Sequence, residues 1–120
     1  MTPYELEQRD TSVPDRVLLD VGGELDLTNA SELEERLGDL SAGNGSSLVL
    51  DLNRVVFIDS AALHVLFRTA RRLGRERFGL VLDPTAPIAK TLSIVGIAEV
   101  VTMARSPEEL GYHPPADLTI

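Results

Sequence analysis

The stretch "VVFIDSAALHVLFRTARR", residues 55–72, joins two patterns with no linker between them. An apolar, β-branched run stops at Asp59 and Ser60, and a helical stripe begins at once. Leu63, Leu66, Phe67, Ala70 and Leu73 recur at i, i+3, i+4, i+7 and i+10, which is one face of an α-helix. Gly74 follows as its stop. A strand that runs straight into a helix is the repeating unit of an α/β sheet, so this stretch sets the expected fold class. It also leaves a serine beside an acid at the mouth of a helix.

Working outward, the same alternation recurs. Residues 17–21 are a β-rich run, followed by a glycine pair and a short loop. "TNASELEERLGDL" predicts a helix, with Thr28 as N-cap, acids in the early turns, and Ala30, Leu33, Leu37 and Leu40 at helical spacing. "SAGNGSS" is a surface loop. "SLVLDL" is a strand with Leu48, Leu50 and Leu52 on one face and Val49 on the other. "RFGLVL" is the next strand. "DPTAPIAKTLSIVGI" is a turn and a helix, with Ile88, Leu92 and Val95 inward and Gly96 at its end. "AEVVTM" offers a short strand. "SPEEL" starts a final helix with proline at its first position. "YELEQ" is an edge strand, and residues 112–120 form a loose proline-rich tail.

These elements predict one α/β domain over residues 1–120, with its core at about 10–111. The expected sheet is mixed and mostly parallel, with four to five strands and about four helices. The turns at residues 23–28 and 55–60 then fall at the same carboxyl edge of the sheet, where open α/β sheets place their sites.

Composition narrows the chemistry. The 120 residues hold no cysteine, which excludes disulfides, thiol nucleophiles and thiolate metal sites. The net charge of −8 argues against nucleic acid or an anionic lipid surface as the main partner. Without a leader or a long apolar span, the chain is expected to be neither secreted nor inserted in a membrane. Residues 54–77 depart from the overall charge: six arginines stand against two acids, either as a solvated helix face or as a partner-facing patch.

Three readings of Ser60 compete. Asp59 or Ser60 can cap the helix, worth about 1 kcal/mol, although a cap needs only one of them. A serine nucleophile needs a base and an oxyanion hole, and the G-x-S-x-G elbow is absent; only His64, one turn on, keeps a hydrolase in view. A phosphate acceptor fits a helix mouth, with its free amides and partial positive charge. Asp51, in a strand, raises a receiver-type phospho-acceptor, but the acidic pair and late lysine of a receiver are not seen, and Lys90 falls in a predicted helix. Asp26 reads either as a contact residue or as the closure of an Asx turn.

"GGELDLTNA", "LVLDLNRVVFIDSAAL" and "TAPIAKTLSIVGIAEVVTMARSPEEL" together resemble a STAS domain of the anti-sigma-factor-antagonist type, over roughly residues 10–111. The resemblance implies a non-enzymatic, cytoplasmic regulator with helices largely on one side of its sheet and no metal or organic cofactor. It implies binding to an anti-sigma factor that is also a serine kinase of the histidine-kinase-like ATPase type. That kinase phosphorylates Ser60 and so releases the antagonist, and a separate phosphatase restores binding. The implied contacts are Glu24, Leu25, Asp26, Val56, Ile58, Asp59, Ser60 and Ala61, with His64 and Arg68 on the exposed start of the helix. The sequence departs from the family at Ala61 and Ala62, where a small hydroxyl residue and a glycine are usual, and at His64, where a small residue is common. Two alanines predict a stiffer helix start and an added methyl where a partner backbone would approach. The alternative is a STAS scaffold module in a signalling assembly, without a phosphorylation cycle.

Overall fold

The computed structural model describes residues 3–9, 11, 15–43 and 45–111. The predicted tail at 112–120, with His113, lies outside them. Five strands form one sheet in the order β1-β2-β3-β4-β5. They are β1 (Tyr4–Arg9), β2 (Arg16–Leu25), β3 (Ser47–Ile58), β4 (Phe78–Val81) and β5 (Thr102–Ala104). β1 is an antiparallel edge strand and every other pairing is parallel. Three α-helices supply the crossovers: α1 (Ala30–Leu40), α2 (Ser60–Leu73) and α3 (Ala89–Ile94). Two 3₁₀ turns, Ile97–Glu99 and Pro107–Leu110, complete the described elements.

Period-two alternation assigns the faces. Leu19, Leu48, Leu50, Leu52, Phe78 and Leu80 point to one side and share a buried cluster with Leu33 and Leu37 of α1, Leu66 of α2 and Leu92 of α3. Leu18, Val49 and Val81 form a small second cluster on the other side, covered by Leu110. The expected final helix at "SPEEL" is therefore a 3₁₀ turn, started by a Ser106 capping box, whose use is to lay Leu110 on that face. On the same face Asp20 and Asp51 are direct neighbours across the β2–β3 ladder. Arg9 from β1 reaches both, at 3.0 and 3.2 Å. Desolvation raises the Asp20 pKa, against the attraction of Arg9. Asp51 is occupied by Arg9 and by two donors from Asn53 at 3.1 and 3.0 Å, a structural set of partners.

Several elements differ from expectation. Val95 is 39% exposed, because α3 ends at Ile94 and Gly96 turns the chain at φ 70°; Ile97 takes the inward place. In α2 the buried residues are Ala62, Val65, Leu66, Thr69, Ala70 and Leu73, a stripe rotated from the predicted one, with Leu63 and Phe67 on its flank. Thr69 can sit inside because its hydroxyl donates to the Val65 carbonyl at 2.8 Å. The N-cap of α1 is Asn29, not Thr28, whose hydroxyl instead donates to Asp26.

Both central strands are longer than predicted. β2 runs through Gly22 and Gly23, and β3 continues to Ile58 with two one-residue bulges, between Asp51 and Arg54 and between Val55 and Phe57. Gly23 is required because β1 lies close by. A β-carbon on Gly23 would stand 2.5 Å from the Pro3 carbonyl oxygen and 2.8 Å from the Tyr4 Cα, and its φ is +86°. Burial of the Tyr4 phenol, then its hydrogen bond to Glu32 and that carboxylate's charge, pushes its pKa up to about 12, a contact that holds β1 to α1. Gly23→Ala is expected to destabilise by at least about 2 kcal/mol, from left-handed strain and backbone crowding together. Urea unfolding checks this; a change below about 0.5 kcal/mol would mean that β1 can shift freely.

Candidate functional site

The β2–α1 turn and the β3–α2 junction meet at the carboxyl edge of the sheet, as the sequence predicts. The Asp59 amide donates to the Leu25 carbonyl at 3.1 Å, which joins the two segments through their backbones. The Asp59 side chain joins them a second time. One carboxylate oxygen caps α2 by accepting from the Ala62 amide at 3.1 Å, and the other accepts from the Leu27 amide at 3.0 Å. Of the two cap candidates in the sequence, Asp59 is the one that caps α2, and its second oxygen also clamps the rim.

The turn is fixed from its other end as well. Asn29, 2% exposed, accepts from the Asp26 amide at 3.0 Å and donates to the Glu24 carbonyl at 2.9 Å. Asp26 closes an Asx turn on the Thr28 amide at 2.9 Å, as the turn reading of this residue expects. Glu24 is half-buried, and its amide donates to the Pro3 carbonyl at 3.0 Å.

Ser60 is the first residue of α2 and is exposed, directly after the Asp59 cap. Val56 is 59% exposed, and His64 is exposed one turn beyond Ser60. Leu25 and Ile58 do not join them: at 0% and 7% exposure they face the core, because they are paired in register and the bulge between Val55 and Phe57 turns Ile58 to the same side as Leu25. They support the rim from beneath and present no side chain at its surface. Arg68 is engaged with Glu34 of α1 through two bonds of 2.6 and 3.1 Å, which hold the Glu34 carboxyl below its ordinary pKa. The alanine pair divides. The Ala62 methyl is fully buried in the core, so only Ala61, half-buried, adds bulk at the rim.

Two exposed apolar side chains complete the surface, Leu27 at 78% and Phe57 at 47%. Leu27 was not foreseen; its one signal in the sequence is a leucine between two turn-forming residues. Together with Val56 they give this rim three of the large exposed apolar side chains found among the described residues. A shallow groove of about 200 Å³ runs between the starts of α1 and α2, lined by Leu27, Ala30, Ser31, Ala61, His64 and the Arg68–Glu34 pair, among others.

The sequence model of the STAS domain matches residues 6–110. This chain belongs to the STAS family. An anti-sigma-F factor antagonist, RsfB, of Mycobacterium tuberculosis is 42% identical to it over 65 residues, 53% of each chain. The STAS chain thus spans about half the length of that curated relative. The crystal structure of an anti-sigma factor antagonist from Mycobacterium paratuberculosis superposes with a TM-score of 0.77, at 26% identity over 90% of this chain and 91% of that one. SpoIIAA of Bacillus, solved in its phosphorylated form, shares the fold at a TM-score of 0.59 and 18% identity, over 91% and 97% of the two chains. The named relatives are regulators rather than enzymes. Among the described residues, no helix is long and apolar enough to cross a membrane.

Proposed function

We propose that this STAS domain is an anti-sigma factor antagonist that binds its anti-sigma factor through the rim around Ser60. The partner is a serine kinase of the histidine-kinase-like ATPase type. It phosphorylates Ser60 and the complex dissociates; a separate phosphatase resets the protein, and the cycle runs in the cytoplasm. The observation that carries this reading is an exposed serine at the first position of α2, on a rim with Leu27, Val56 and Phe57 exposed. The names of the relatives support the class of partner.

The physics is local. A phosphoserine brings up to about two negative charges at neutral pH. A helix mouth tolerates them in the free protein, but an apolar interface must desolvate them. The domain then needs no activity of its own to act as a switch.

Incubation with a purified serine-kinase-type anti-sigma factor of the source organism and ATP, followed by intact mass, tests the proposal. The expected result is a gain of one phosphoryl group that is absent in Ser60→Ala. Tight binding with no transfer would favour the second reading, a STAS scaffold without a phosphorylation cycle. The feature that favours it is Ala61, which puts a half-buried methyl beside the acceptor where the family usually has a hydroxyl residue.

A further inference from the structure

We propose that Leu27 is an anchor residue of this rim and that Asp59 is the positioning residue that holds it in place. For the class of partner this rests on the anti-sigma reading above; the geometry of Leu27 and Asp59 is independent of it.

A single exposed leucine is ordinary. Leu27 is unusual because its backbone is fixed from several directions. Its amide donates to Asp59 of the other segment at 3.0 Å. The residue before it closes the Asx turn onto the residue after it. Asn29 then ties the turn back to the Glu24 carbonyl at 2.9 Å. The side chain itself remains 78% exposed. A loop held this firmly, with its apolar side chain left in solvent, has already lost the freedom that binding would otherwise remove. Beside it lies the groove that Ala30, Ser31 and Ala61 keep shallow. The arrangement fits a partner with an apolar socket for Leu27 and a raised edge for the groove.

The Asp59 carboxylate is what links this anchor to the Ser60 helix, since it accepts from Leu27 on one oxygen and from Ala62 on the other. Asp59→Asn is nearly isosteric and keeps an oxygen to cap Ala62. It turns an amide NH₂ toward the Leu27 N–H, donor against donor, and so frees the anchor without removing the cap.

The test has two arms. In the free protein, hydrogen exchange at the Leu27 amide is expected to quicken at least about tenfold in Asp59→Asn, with Ala62 little changed; equal rates at Leu27 would overturn the positioning role. In the second arm, the serine-kinase-type anti-sigma factors of the source organism are purified and titrated in turn against wild type, Leu27→Ala, Asp59→Asn and the double variant. Leu27→Ala is expected to weaken binding at least about tenfold in the wild-type background, but less than about threefold in the Asp59→Asn background. Additive losses would overturn the positioning role. An unchanged affinity for Leu27→Ala, with Ser60→Glu still preventing binding, would overturn the anchor and leave the rim reading intact. Unchanged affinity in both would overturn the anchor and the rim reading together.

Discussion

Replacing Ser60 with glutamate is expected to weaken binding to the anti-sigma factor at least about tenfold, or about 1.4 kcal/mol, with no loss of fold stability. The fold is spared because Ser60 is exposed in the first turn of α2, where a negative charge meets the positive end of the helix dipole. That placement can add about 0.3–1 kcal/mol of stability. The interface is not spared. The new carboxylate stands next to Asp59, whose oxygens already occupy the Ala62 and Leu27 amides, so those donors are not available to it. It also lies on a rim with Leu27, Val56 and Phe57 exposed, where a partner that covers it must strip its water. Calorimetric titration of the variant, with a thermal melt of the free protein, separates the two effects. A melt that is unchanged or slightly raised, together with the weakened binding, is the expected pair. A loss of binding smaller than about threefold would favour the scaffold reading, because one charge would then be tolerated at the centre of the contact.

The fold was legible where periodicity is strong, and less so where glycine or threonine interrupts it. Strand-to-helix alternation and the edge strand β1 follow from pattern alone. The full length of β2 does not, because Gly22 and Gly23 read as a loop. They are strand residues because the adjacent β1 backbone leaves no room for a side chain on Gly23, a tertiary reason that local pattern does not carry. The turn of the α2 stripe was misread for a similar reason: Thr69 scores as polar, yet its hydroxyl is satisfied within its own helix. At the site, the convergence of two loops was foreseen from the parallel topology. The division of labour within them was not. In-register pairing after the β3 bulge sends Leu25 and Ile58 inward, and the Asp59 carboxylate is a clamp as well as a cap. A short sequence motif names residues that matter without saying which of them face solvent.

Phe78→Ala should produce the opposite pattern from Ser60→Glu: a large loss of stability with the rim intact. Phe78 is 1% exposed, lies in the main core cluster and is paired with Leu48 at the amino end of β3. Ser60 follows the other end of that strand. β2 covers the same interval, from the partner of Leu48 to the partner of Ile58, in the steps from Val17 to Leu25, which is about 26 Å at the usual rise, so a cavity at Phe78 is remote from the rim. Truncating a buried phenylalanine costs about 3–5 kcal/mol, a large share of the roughly 5–15 kcal/mol that stabilises a domain. For a chain of this size the melting temperature should fall by roughly 10–20 °C. Below that lower transition, the folded variant is expected to bind the anti-sigma factor within about twofold of wild type, since sites this far apart without shared partners act nearly independently. A loss of stability of less than about 1 kcal/mol would mean that the core closes over the missing ring. A fully folded variant that no longer binds would mean that the helix layer carries strain from Phe78 to α2, and that the rim depends on core packing as well as on the Asp59 clamp.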